Sequence, residues 1–151
     1  MLSNLATLKL FVAQKRVEDM MKFLSRVEFP HLSTLIIELD AGSKTRSSVE
    51  IFTSPRIPLP TVTHFEISAP YIDEFWVYTH AHLHHLIRQL SGVVDLKIGP
   101  TLRLQSLITD ADTDVLPNLR TFSCHKSNSD RIPDWMYTRN GVGVEIKYTQ
   151  Y

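Results

Sequence analysis

The residues most able to do chemistry lie in one run, Thr79-His80-Ala81-His82-Leu83-His84-His85. Four histidines in six positions invite a metal reading, and zinc requires three or four ligands converging on one point. If the run is helical, about 100° of rotation per residue from Ile72 sets His80 and His84 at about 80° and 120°, and His82 and His85 at about 280° and 220°. The four rings then form two separated pairs flanking an apolar stripe, neither of them a complete site. The residue after His80 is Ala81, so the glutamate of an H-E-x-x-H motif is absent. The expectation is a polar helix flank whose charge responds to pH near neutrality, with no metal ligand assigned.

Other candidates give way in the same manner. Asp110, Asp112 and Asp114 alternate as in a calcium loop, but the sixth position of the frame is Val115 and the twelfth is Thr121, where glycine and glutamate are needed. A solvated acidic loop is the expectation. Cys124 and His125 are adjacent, which on a strand sends them to opposite faces and rules out a dyad. With five glycines in the chain there is no glycine-rich phosphate loop. No catalytic residue, cofactor or metal is therefore expected, and the chain reads as something other than an enzyme.

Charge and composition narrow the partners. Sixteen basic and sixteen acidic side chains cancel, so the basic patch that draws nucleic acid or an anionic membrane is not foreseen. A lone cysteine forms no internal disulfide and suits a reducing compartment, the cytoplasm or nucleus. In the opening MLSNLATLKLFVAQKR no positive charge precedes the apolar stretch and Asn4 and Lys9 interrupt it, which disfavours a signal peptide.

The elements that must position these residues come from a repeat. LSNLATLKL, FPHLSTLII, LPTVTHFEI, LSGVVDLKI and LPNLRTFSC share large apolar residues (Cys124 at the last position) at offsets 0, +3, +6 and +8; they begin at residues 2, 29, 59, 90 and 116, so successive starts are 27, 30, 31 and 26 apart. Positions +6 and +8 alternate as a strand does; positions 0 and +3 read as the bend that leads into it. Pro30, Pro60 and Pro117 favour an extended approach there. Cys124 takes a +8 position held elsewhere by Leu10, Ile37, Ile67 and Ile98, which makes it a small buried hydrophobe.

Helical spacing fills the rest of each period. Val17, Met20, Met21, Leu24 and Val27 share one face; Ile72, Phe75, Trp76, Leu83, Leu86, Ile87 and Leu90 mark a helix of about 18 residues, and Leu104, Leu107 and Ile108 a shorter one. The second unit is a polar loop around a short element near Val49–Phe52. Residues 131–139 suit a short helix with Pro133 in its first turn, stopped by Asn140-Gly141, and Val142, Val144, Ile146 and Tyr148 alternate as a closing strand. The domain is thus a single α/β unit over residues 1–151, with five repeats and a cap at 131–151. Parallel strands would line a concave side and helices a convex one.

Strand alternation also predicts the outward rows. If Leu8, Leu35, Phe65, Leu96 and Phe122 face the core, one outward row runs Lys9, Ile36, Glu66, Lys97, Ser123 and another Thr7, Thr34, His64, Asp95, Thr121. Stacked at about 4.8 Å, Glu66 then neighbours Lys97 and His64 neighbours Asp95. This concave face, with His125, is the expected partner-binding surface; a self-paired solvated face is the plainer alternative.

The L-x-x-L-x-x-L-x-L segments resemble leucine-rich repeats, in particular the divergent repeat regions of fungal F-box proteins, from Leu2 to about Lys126. The resemblance implies a leucine-rich-repeat solenoid that binds a protein, as the substrate-recognition part of an F-box-type ubiquitin-ligase receptor without the F-box. It departs from the family at the turn after each strand, where Ala13, Asp40, Pro70, Thr101 and Ser127 stand in place of asparagine, so those turns need other partners. No cap precedes Leu2, which points to a missing preceding domain or a truncated gene model, or else to a partner on that edge, self-association included. A metal-binding or enzymatic use of the His80–His85 helix, and a gene fragment with no role of its own, are the competing readings.

Overall fold

The computed structural model describes residues 2–13, 16–40, 56–69 and 76–150, with side chains from 80 onward in the last stretch. Six strands, β1 (Thr7–Ala13), β2 (Thr34–Asp40), β3 (His64–Ser68), β4 (Asp95–Ile98), β5 (Thr121–His125) and β6 (Glu145–Thr149), form one parallel sheet in chain order. Helices α1 (Val17–Arg26), α2 (Trp76–Gln89), α3 (Leu104–Leu107) and α4 (Asp134–Thr138) lie in the connections, with 3₁₀ turns at Lys126–Arg131 and Arg139–Gly141. The chain is therefore α/β, with every strand parallel to its neighbours.

The frame inferred from the sequence is the frame of the core. Phe29, Leu32, Leu59, Val62, Leu90, Val93, Leu116 and Leu119 are all buried at offsets 0 and +3, and Leu35, Ile37, Phe65, Ile67, Leu96, Ile98, Phe122 and Cys124 are buried at +6 and +8. Each +3 amide donates to the carbonyl at offset 0, from Leu5 to Leu2 through Leu119 to Leu116, at 3.0–3.4 Å. Every unit thus opens with the same tight bend.

A second regularity joins one unit to the next. The amides of Ser33 and Thr34 both donate to Ala6 O, those of Thr63 and His64 to Ser33 O, those of Val94 and Asp95 to Thr63 O, and those of Arg120 and Thr121 to Val94 O, at 2.8–3.1 Å. One carbonyl per unit receives two amides of its successor, so the bends stack without an asparagine ladder and their backbone groups are satisfied. Side chains reinforce the stack: Thr61 Oγ1 donates to Leu32 O at 2.6 Å, Asn118 Nδ2 to Ser91 O at 2.9 Å and Thr101 Oγ1 to Ala69 O at 2.5 Å. Gly92 is fitted to this approach, because a Cβ there would stand 2.6 Å from Pro60 O.

Several expectations change. The sheet is open and not curled, in place of the curved concave ladder. Curvature in stacked repeats accumulates from a constant offset per unit, and here the layer behind the sheet is uneven: ten residues in α1, fourteen in α2, one turn in α3. Pro133 is the N-cap of α4 and not part of its first turn. The closing strand begins at Glu145, and Val142 lies before it at 92% exposure, because Asn140, Gly141 and Gly143 take positive φ and turn the chain first. That strand pairs with β5 in parallel register, a sixth strand of the same sheet. At the other edge, Leu2 is exposed and Leu8 and Leu10 only half-buried, since no described strand lies beyond β1. The described part of the long helix starts at Trp76; Ile72, Phe75 and the element near Val49–Phe52 lie outside the described residues.

Candidate interaction surface

The strands bury one face against the helices and present the other. Their burial alternates residue by residue from β2 to β5, and no described element covers the outer face. Backbone pairing places Thr7, Thr34, His64, Asp95, Thr121 and Glu145 in one row, and Lys9, Ile36, Glu66, Lys97, Ser123 and Lys147 in the next. The register matches the alternation argument at every position and extends it by one strand.

Most charges on this face have a partner. Glu66 Oε1 lies 3.3 Å from Lys97 Nζ and His64 Nε2 lies 3.8 Å from Asp95 Oδ2. Lys9 Nζ reaches Glu38 Oε1 at 2.7 Å and sits 5.0 Å from the centre of the Phe11 ring. Ile36 is half-buried between Lys9 and Glu66, an apolar point within the polar rows. A shallow depression of about 190 Å³ opens beside it, lined by His64, Glu66, Asp95 and Lys97 among others. His125 sits at the far end of β5, where its Nδ1 accepts from the Ser127 amide at 3.2 Å and caps the following turn. Sequence reasoning missed Phe11, 73% exposed, and Glu38 opposite it, although the same alternation, carried two residues further along β1 and β2, places both on this face.

The histidine helix behaves differently. The two flanks are as the helical angles predict, but they do not face solvent equally. His80 is buried, and its Nε2 accepts from the Arg103 amide at 3.3 Å; His84 Nε2 lies 3.2 Å from Asp112. On the other flank His85 Nε2 meets Gln89 Nε2 at 2.7 Å, and Gln89 Oε1 accepts from the Ile57 amide at 2.6 Å. Burial lowers the pKa of His82, Glu18 raises it in part and His85 lowers it further, with the net shift downward.

Asp112 overturns the solvated reading of the acidic loop. Its side chain is 4% exposed, and it accepts from Arg88 Nη1 at 2.5 Å, Thr109 N at 2.8 Å and Thr109 Oγ1 at 3.1 Å as well as approaching His84. Burial alone would raise its pKa; the Thr109 hydrogen bonds and His84 outweigh that and hold the carboxyl below its usual range. Asp110 Oδ1 accepts from the Asp134 amide at 2.9 Å at the start of α4, and Asp114 stays exposed. The loop is thus a staple between α2 and the chain before β5. Among the described residues no three His, Cys, Asp or Glu side chains converge as a metal site. Cys124 is fully buried, and burial raises its thiol pKa.

No described helix is long and apolar enough to cross a membrane. No protein-family model, curated protein or solved structure matches the chain.

Proposed function

We propose that the chain is a protein-interaction scaffold of leucine-rich-repeat-type units that binds a protein across the outer face of its sheet. One observation carries this reading: two rows of side chains stand in register on a face that no described element covers, with Phe11 exposed and Ile36 half-buried among paired charges. Apolar anchors within a polar, largely self-neutralised surface suit a protein partner better than a polyanion. The repeat frame and its resemblance support a finer reading, the substrate-recognition part of an F-box-type receptor, with Lys9, Ile36, His64, Glu66, Asp95, Lys97 and His125 as contact residues.

The test is comparative affinity proteomics with three forms: the wild type, the face variant Ile36→Lys with Lys97→Glu, and the helix-side control Arg26→Gln. Proteins retained by the wild type and the control but lost from the face variant support the scaffold. An unchanged profile for the face variant refutes it. Among face-dependent partners, ubiquitylation that requires this chain supports the finer reading, and unchanged ubiquitylation removes it.

A further inference from the structure

We infer that β1 is a homodimerisation strand, pairing antiparallel with β1 of a second copy about a twofold axis at Leu10. Among the described residues β1 pairs only with β2, and no described strand lies against the other side of its seven residues. Edges that avoid association are short, bulged, broken by proline or lined with charge, lysine above all. β1 is the sequence TLKLFVA, with one charge, no proline and no interruption in its pairing with β2. Behind it Leu5, Leu8 and Leu10 are only partly buried, whereas their counterparts Leu32, Leu35 and Ile37 are fully buried one unit later. The edge therefore offers hydrogen-bonding groups and apolar surface together.

The backbone fixes which residues can bond outward. Ala6 O accepts from β2, so the peptide groups of alternate residues Leu8, Leu10 and Val12 face β2 and those of Thr7, Lys9, Phe11 and Ala13 face the open edge. An antiparallel partner must form its hydrogen-bonded pairs from the second set. With the axis at Leu10, Thr7 pairs with Ala13 and Lys9 with Phe11 of the second copy, while Leu10 meets Leu10 and Leu8 meets Val12 on the helix side. All seven residues are used. Moving the axis to Lys9 sets two ammonium groups opposite each other, and moving it to Phe11 leaves Thr7 and Leu8 without partners in the strand.

Charge selects this arrangement over growth of the sheet end to end. Continuing the observed rows from β6 onto β1 of another copy would place Lys147 directly across from Lys9, since Lys147 continues the row of Ser123, Lys97, Glu66, Ile36 and Lys9. Like charges directly opposite are unfavourable. The twofold pairing instead sets Lys9 against an aromatic ring, a contact it already makes within its own chain. Zero net charge leaves no overall repulsion to resist the contact. The sheets join with their outer faces on the same side, so the surface of the proposed function is left uncovered and the two proposals fail independently.

Sedimentation of the full native chain comes first, with a concentration-dependent shift to twice the monomer mass expected. Register is then read from disulfide trapping in a Cys124→Ser background. Leu10 self-pairs at about 4.5 Å between Cα atoms, within the span a disulfide bridges. Leu10→Cys should form a covalent dimer on oxidation; Leu8→Cys alone should not, and a mixture of Leu8→Cys and Val12→Cys should cross-link. A native chain that stays monomeric at all soluble concentrations overturns the proposal without reference to any variant. So does cross-linking between Leu10→Cys and Tyr148→Cys in place of the Leu10 self-pair, which marks end-to-end growth.

Discussion

Glu66 and Lys97 stand directly opposite each other on adjacent parallel strands, 3.3 Å apart, at the middle of a row of six side chains. Both are more than a third exposed, so the pair is screened and worth little to folding. Its position is better suited to setting the charge pattern of the outer face.

From this follows a stability prediction of small size. Glu66→Lys should lower unfolding free energy by about 0.5 kcal/mol, and adding Lys97→Glu should restore most of it. Urea denaturation of the four forms of the cycle measures the coupling, which should shrink in high salt. A loss of several kcal/mol would mean that the pair is part of the core.

Asp112 carries a larger effect. Asp112→Asn keeps the shape and removes the charge that Arg88, His84 and Thr109 address, at a cost of about 2 kcal/mol. Its folded pKa lies below the unfolded value of 3.8, so its stabilisation is complete at neutral pH and is lost as pH falls through and below that value. Acid titrations followed by circular dichroism should show the wild type losing this stability below about pH 4 and D112N lacking that component.

His82 acts in a different pH window. Its folded pKa is depressed from 6.5, so the unfolded chain takes up the proton first and stability declines as pH falls below 6.5. Melting temperatures at pH 7.5 and 5.5 should differ in the wild type, and the difference should narrow in His82→Leu. An undiminished difference would place the sensitivity elsewhere.

Gly92 tests the stacked bends. Gly92→Ala should cost about 2 kcal/mol, because the added Cβ must displace the Pro60 carbonyl of the preceding unit. Denaturant midpoints decide it; an unchanged midpoint would show that neighbouring bends are loosely joined.

How far the sequence could be read depended on periodicity. The offsets 0, +3, +6 and +8 repeat five times, and because strand side chains alternate strictly, they set register and outward rows together, while the helical spacing between them sets the strands parallel. Leu35 opposite Phe65 and Glu66 opposite Lys97 follow from counting. Asp112 did not, because beside the nearby Thr109 its partners are Arg88 and His84, 24 and 28 positions away, brought there by the packing of α2 and α3. The paired carbonyl at Ala6, Ser33, Thr63 and Val94 was equally hidden, since a backbone hydrogen bond leaves no preference for a particular side chain. Sheet curvature was hidden too, because it depends on the thickness of the helical layer, which the repeat frame does not specify.

The outer face as an interaction surface is tested most directly by photo-crosslinking from within it. A benzophenone side chain at position 36, in the middle of the face, should capture the same protein that Ile36→Lys with Lys97→Glu fails to retain, and the same probe at position 26, on the exposed end of α1, should not. Crosslinks to that protein from position 26 alone, or from neither position, would contradict the account.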